Sequence, residues 1–392
     1  MAVKERVPEF DIFRAQNSEA PYACYAEWRR ASPIFRVGPN QWGVARHADV
    51  EACLKDRRLV HGMPRSYVSF VMGDGPSGDF RFNSILNQDG PEHLRIRRLM
   101  SQAFTPALVR DLVPRVERIV DELIEPLLDG EDRDIVDLLA YPLPSNVICD
   151  LLGIHADRDE VRTRAVTLAT QADIPASDES TIWFREFLSA ELAARTPDPD
   201  GDLLQRMLAA EDGDGAFTHE EIVDNAVLLF FAGFETTKHL IANGTAALVD
   251  FPDQRAMLWA DPSLAMSAIE EFLRFDGPVA FVTSMALEPI EIGPVVVRPG
   301  GVIYQSLLAA NHDETVFDDP ERLDITRKPN PHLTFGGGPH RCLGMHLARM
   351  EAETVFRRLA ERLETVEGAG ERERVAVGFG TWARVPVRAT AA

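Results

Sequence analysis

Cysteine is scarce in this chain: four in 392 residues, at Cys24, Cys53, Cys149 and Cys342, none in a CxxC spacing. That excludes a disulfide-stapled scaffold and a zinc ribbon, and it points to a reducing compartment, the cytoplasm. Long apolar runs are missing as well. The longest unbroken run of apolar residues and glycine, 226–234, spans nine residues, about half of the roughly 20 that cross a bilayer. Residues 1–13 carry Lys4, Glu5, Arg6, Glu9 and Asp11 without an apolar signal core, so no membrane anchor is expected. Positive charge is the minority: 41 Lys and Arg stand against 62 Asp and Glu, a net charge of −21 that disfavours nucleic acid or anionic lipid as a whole-face partner. What remains is ordinary: 45% hydrophobic and 26% charged residues suffice for a large core and exclude a disordered chain. With no internal repeat and no Pro/Ser linker, a single domain, 1–392, is preferred.

Residues 33–37 and 41–45 read as two short strands around the turn Gly38-Pro39-Asn40. From about residue 92 helical periodicity dominates, over 93–104, 106–128, 161–173, 181–195 and 202–211. A much longer helix is expected from the capping box Thr218-His-Glu-Glu221 to about Val249, roughly 45 Å at 1.5 Å per residue. Its middle, Ala226-Val-Leu-Leu-Phe-Phe-Ala-Gly-Phe234, is apolar all round, which means burial on every side. Strands are expected again at 290–297, 301–306 and 367–386, with a helix over 345–363. The fold class is mainly α with small β-sheets.

Three features carry chemistry. In Phe335-Gly-Gly-Gly-Pro-His-Arg-Cys-Leu-Gly344, directly before a helix, the glycines permit a tight path and the approach of a flat ligand. The helix N-terminus and Arg341 favour a charged sulfur on Cys342. An inert cysteine or a nucleophile with a paired base are the other readings. Gly233, Glu235, Thr236 and Thr237 interrupt the buried stretch of the long helix with polar groups. Such violations concentrate at functional sites, although a buried threonine bonding back to its own helix is the bland alternative. Gly73-Asp-Gly-Pro-Ser-Gly78 matches GxGxxG but opens no expected helix, so it reads as a loop and not as a dinucleotide fingerprint.

The decapeptide resembles the haem-binding loop of the cytochrome P-450 family at Phe335, Gly336, Gly338, His340, Cys342 and Gly344. The resemblance implies that the Cys342 thiolate is the iron ligand of a haem b, with His340 on a propionate and Phe335 near the sulfur. Ala232-Gly-Phe-Glu-Thr-Thr237 resembles the oxygen-binding groove of the family's long central helix, which lies over the haem. Glu235 and Thr236 are then its acid–alcohol pair, delivering protons without flooding the site with water. Glu271-Phe-Leu-Arg274 resembles the ExxR helix, a structural pair whose third member is expected at Arg322. His93-Leu-Arg-Ile-Arg97 resembles the helix whose histidine and arginine face the propionates. The sequence departs from the family at Ser284, where a further propionate arginine is usual.

The implied activity is a haem-thiolate monooxygenase that hydroxylates or epoxidises a hydrophobic small molecule with O2, in the manner of natural-product biosynthesis. Oxidative coupling or ring formation on the same fold is the alternative. A haem sensor would not need the acid–alcohol pair, and a cysteine hydrolase would carry no haem. Electrons come from a separate ferredoxin or flavodoxin with an NAD(P)H-dependent reductase, to a monomer. Between residues 91 and 118 six arginines (95, 97, 98, 110, 115, 118) face three carboxylates, a local +3 that, with Arg341, is expected to dock the acidic donor. Leu228, Phe231, Ala232, Val279, Val282 and Trp382 are the expected pocket walls, capped by a loop over 66–82 with Phe70 and Phe80.

Overall fold

The computed structural model describes residues 7–12, 14, 21–170, 173–374 and 382–391. Residues 1–6 and 13 of the charged N-terminal stretch, 171–172 of an expected helix and 375–381 of the expected C-terminal strands lie outside the described residues.

The long helix forms as its capping box dictates. Thr218 Oγ1 accepts from the Glu221 amide at 3.2 Å, Glu221 returns a carboxylate to the Thr218 amide at 2.8 Å, and the helix runs His219–Asp250 over 32 residues. It is the spine of the molecule. Helices Pro142–Leu151, Arg158–Thr170, Ile174–Ala193, Ala265–Asp276 and Met345–Arg362 all pack on it. Its apolar middle is buried against the largest core cluster, which runs from Phe80 to Ala389.

The small sheets lie at the periphery. One has five strands in the order Phe35–Gly38, Gln41–Val44, Val302–Ser306, Phe281–Ala286 and Leu59–Val60. Its neighbours are antiparallel except Gln41–Val44 with Val302–Ser306, which are parallel with Trp42 opposite Ile303. A second sheet orders Leu363–Gly368, Pro386–Ala391 and Asp132–Asp134. Ile290–Ile292 and Val295–Val297 form a hairpin where a single stretch of strand was expected.

Several helices depart from the periodicity reading. Pro21–Ala31, His47–Lys55, Pro142–Leu151 and Pro252–Ala260 were not anticipated, because two to three turns with mixed faces give a weak 3.6-residue signal. The expected loop over 66–82 is two helices, Arg65–Met72 and Pro76–Asn83. The GxGxxG stretch therefore does open a short helix, with Pro76 in its first turn, but a helix and not a strand precedes it, so the dinucleotide context is still absent.

Candidate functional site

The loop before Met345–Arg362 is closed on itself by the Cys342 amide donating to the Phe335 carbonyl at 2.9 Å. Gly336 and Gly338 take φ of +66° and +61°, and a Cβ on Gly338 would lie 2.4 Å from the Leu54 carbonyl oxygen, so only glycine lets this loop rest on helix His47–Lys55. Phe335 is fixed from the other side. The Arg349 guanidinium sits 4.5 Å over its ring, and Arg349 and His332 both bond Glu270, at 2.6 and 3.1 Å. Those partners outweigh burial and hold Glu270 down at about 2.

Cys342 is exposed, whereas Cys24, Cys53 and Cys149 are buried. Yet burial by surrounding protein holds its thiol above the ordinary value, against the Gly344 amide and the guanidiniums of Arg97, Arg349 and Arg341. A thiol that is both accessible and desolvated lies on the wall of an interior space. The charged sulfur expected from sequence is thus not stabilised by the protein alone; a bound metal ion would deprotonate it outright.

The middle of the long helix has the same character. Leu229, Ala232, Gly233 and Thr236, spaced three and four apart, share a half-exposed face on a helix packed by others on all sides, and Phe231 is half-exposed beside them. Thr236 Oγ1 donates to the Ala232 carbonyl at 2.7 Å, the back-bond of the bland reading, which leaves the hydroxyl oxygen as an acceptor on that face. Glu235 is buried. Its Oε2 lies 2.7 Å from Lys238 Nζ and 3.0 Å from His239 Nε2, while its Oε1 is buried with no hydrogen-bond partner among the described residues. Burial pushes this carboxyl up, but His239 and Lys238 together leave it below the ordinary value.

A third group gathers at one edge. The ring of His340 lies tilted against those of His93 and His61, centroids 4.0 and 4.2 Å away, and its Nε2 lies 3.0 Å from Asp89 Oδ1. Burial and the neighbouring imidazoles lower both His61 and His93 to about 4. Arg97 Nη2 donates to the Arg341 carbonyl at 2.6 Å, tying helix Gly90–Ala103 to the Cys342 loop. Asp89 is the single carboxylate among these groups, and it is already taken by His340 and the Gly62 amide.

Relatives settle what this arrangement belongs to. A family model described as Cytochrome P450 matches residues 262–373. Cytochrome P450 107B1 of Saccharopolyspora erythraea is 35% identical over 97% of this chain and 98% of its own length. This chain is a cytochrome P450. The vitamin D(3) 25-hydroxylase of Pseudonocardia autotrophica is 36% identical, covering 94% of this chain and 92% of the relative. The structure of cytochrome P450 CYP109Q5 from Chondromyces apiculatus superposes with a TM-score of 0.89 at 32% identity, over 99% of this chain and 100% of that one. Like these relatives, the P450 is an oxidoreductase that incorporates molecular oxygen, and its fold is the mainly α P450 fold.

The ExxR helix of this P450, Ala265–Asp276, corrects one expectation. Glu271 and Arg274 are wholly buried and joined by two hydrogen bonds of 2.8 Å. The third member is Arg327, whose Nε lies 3.2 Å from both Glu271 oxygens. Arg322 contributes only its backbone carbonyl, while its side chain, 59% exposed, reaches Asp253 at 3.6 Å. Three of the six docking arginines are also spent internally. Arg95 pairs with Glu92 and Glu221, Arg98 with Asp212 and Asp214, and Arg115 with Asp150; of the other three, Arg97 bonds the Arg341 carbonyl, while Arg110 and Arg118, like Arg341 beside them in the expected patch, are exposed without an ion pair among the described residues.

Of the expected pocket walls, Leu228 is packed into the core of the P450, and Leu229 takes its place on the half-exposed face. Trp382 is a cation platform: the Arg374 and Arg372 guanidiniums lie 4.2 and 4.7 Å from its ring. Val279 and Val282 are partly buried against the sheet cluster. His61 escaped the sequence reading because a lone histidine beside a two-residue strand has no motif around it.

Haem with a cysteine thiolate on its iron is the prosthetic group the family implies, and the residues fit it. An accessible, desolvated thiol suits an axial ligand. At the edge, three imidazoles and Arg97 around one already-satisfied carboxylate suit the two carboxylates of such a group.

Proposed function

We propose that this P450 holds haem b through the Cys342 thiolate, between its loop and the Thr236 face of the central helix. On this reading it hydroxylates or epoxidises a hydrophobic small molecule, with O2 and electrons from a separate ferredoxin or flavodoxin and its NAD(P)H-dependent reductase. It works as a cytoplasmic monomer. The observation that carries the reading is Cys342, the one exposed cysteine of the four, at the end of a glycine loop that only a close-packed backbone path requires.

When bound, the haem supplies reductive activation of O2, with one oxygen atom going to the substrate and the other leaving as water. The protein's own part is positional and protonic. His93, Arg97 and His340 hold the propionate edge, and Gly336, Gly344 and Phe335 shape the loop beneath. Ala232 leaves room on the helix face, where Leu229 and Phe231 exclude water. Thr236 presents an accepting oxygen at that face, because its own proton is committed to the Ala232 carbonyl. Glu235 moves the proton: its Oε2 takes one from the Lys238 ammonium, which solvent then reprotonates, and rotation of the carboxyl carries that proton to the position the unpartnered Oε1 now holds, while His239 Nε2 orients the group by a hydrogen bond.

The apolar Leu229, Phe231, Val279 and Val282 support a bulky hydrophobic substrate, as does the vitamin D(3) 25-hydroxylase relative. The test is the CO spectrum of the reduced holoprotein, expected to be of the thiolate type in the native protein and lost in Cys342→Ala. Screening apolar natural products for a low-spin to high-spin shift of the ferric protein then names the substrate class. A colourless protein after haem supply, or nitrogen ligation, overturns the reading.

A further inference from the structure

Helix Pro76–Asn83 is anchored at both ends. Asp178, on helix Ile174–Ala193, accepts from the Ser77 amide at 2.8 Å and from its hydroxyl at 2.6 Å, and the Ser84 hydroxyl donates to the Arg81 carbonyl at 3.1 Å. Phe80 is sunk into the core at 2% exposure. Beside it in sequence, Arg81 is partly buried; among the described residues its guanidinium makes no ion pair, and its Nη1 is buried with no hydrogen-bond partner. An unpaired buried guanidinium is expensive, and proteins keep one only where an anion arrives.

Its surroundings say where that anion sits. Helix Pro76–Asn83 packs on the central helix as well as on Ile174–Ala193, and the Arg81 charge is felt at His61, whose ring lies tilted 4.2 Å from His340, itself 4.0 Å from His93. Asp89 is the carboxylate at hand, and it is already engaged by His340 and the Gly62 amide. Ser284, at the position where the family usually has a propionate arginine, supplies no charge: it is 1% exposed and bonded by the Gln305 amide within the sheet. The edge is short of one carboxylate, and the planar fork of arginine is the group that binds a carboxylate through two parallel bonds.

We propose that Arg81 is a carboxylate-binding residue of the haem cavity. The proposal rests on the haem reading above. The carboxylate has two chemical sources, a haem propionate left without the arginine that Ser284 displaces, or the carboxylate of an acidic substrate, and two measurements on the holoprotein separate them. The first is the rate at which ferric protein loses haem to an excess of a haem-scavenging apoprotein. The second is the spin-state titration with dodecanoic acid against its methyl ester.

If the source is the propionate, Arg81→Met speeds haem loss about tenfold or more, whatever it does to the titrations. If it is the substrate, haem loss is unchanged, the native protein prefers the acid to the ester, and the variant loses that preference about tenfold. Arg81→Lys, which keeps the charge without the fork, gives a smaller change of the same kind and carries the test should the methionine variant not fold, as judged by circular dichroism. Unchanged haem loss together with no Arg81-dependent preference for the acid overturns the proposal. A native protein that takes up no haem overturns instead the reading on which it rests.

Discussion

Lys238 and Glu235 sit one helical turn apart on the central helix, Nζ to Oε2 at 2.7 Å, with Lys238 also lying over the rings of Tyr141 and Phe234 at 5.5 and 5.7 Å. The aromatic faces keep the ammonium in a partly dry position, so the pair is worth more than an exposed one on a helix surface. Burial alone would raise the Glu235 carboxyl; Lys238, with His239, reverses that direction. In Lys238→Met the carboxyl moves up, and protonation that the native protein postpones to acid begins nearer neutrality. The acid limb of product formation against pH should therefore shift to higher pH. Lys238→Arg should restore the native limb. A profile from pH 3.5 to 8.5 checks both.

Thr236 holds its proton in the Ala232 carbonyl and offers only an acceptor to the cavity. Thr236→Ala removes that acceptor without touching the Cys342 loop, so the variant should bind haem with a native thiolate spectrum. Reducing equivalents should then appear as hydrogen peroxide and not as product, with product per NAD(P)H falling about tenfold, the equivalent of about 1.4 kcal/mol. Parallel assays of peroxide and product decide it; native coupling in the variant removes the proton-delivery role.

The two arginines near Glu271 should behave in opposite ways. Arg327 touches both carboxylate oxygens of a wholly buried residue, whereas the Arg322 side chain is at the surface with Asp253. Arg327→Ala leaves a buried charge short of a partner and should cost about 3–5 kcal/mol. Arg322→Ala should stay within about 0.5 kcal/mol. Urea midpoints of the two variants make the comparison.

That contrast also marks what a sequence makes legible. The Glu271–Arg274 pair is three residues apart, and the capping box of the long helix is likewise local, so helix geometry alone brings each together. Cys342, Glu235 and Thr236 were legible because each breaks a local pattern that its neighbours keep. Arg327 and Arg322 stand five apart in one loop, and only the path of that loop, turning so that the Asp324 amide also reaches Glu271 at 2.9 Å, decides which side chain is inside. His61 and Arg81 belong to the same class. Their importance comes from what lies beside them or is missing around them, and neither is written in spacing. The internal pairing of Arg98 was hidden for the same reason, since the acids that neutralise it lie more than 110 positions away.

Glu351 is a buried acid with no use in the mechanism. It lies on helix Met345–Arg362 at 1% exposure, its Oε2 has no hydrogen-bond partner among the described residues, and burial pushes it from 4.5 up to about 8. The fold favours its neutral form, so its contribution to stability is whole below about pH 4.5 and is lost as pH rises through about 8. Glu351→Gln keeps the shape and cannot ionise. At pH 4.5 the variant should match the native protein within about 0.5 kcal/mol, and at pH 8 it should be more stable by on the order of 3 kcal/mol. Equal pH dependence in the two proteins would mean that the acid is solvated.

Gly244 has the opposite origin, a position where nothing more fits. A Cβ there would lie 2.7 Å from Phe356 Cζ and 2.8 Å from Phe272 Cδ2, whose rings are themselves 4.9 Å apart between helices Met345–Arg362 and Ala265–Asp276. In an open helix, glycine to alanine gains about 1 kcal/mol from propensity. Here the added methyl must displace one of two wholly buried rings that connect the helix carrying Thr236 to the helix that follows Cys342, and overpacking costs about 1–3 kcal/mol. Gly244→Ala should therefore be net destabilising by up to about 2 kcal/mol. The shift of the rings should also be felt at the cofactor, as faster haem loss from the ferric protein. Gly244→Ala combined with Phe356→Leu makes room for the methyl and should recover part of both effects, which a helix-propensity origin would not allow.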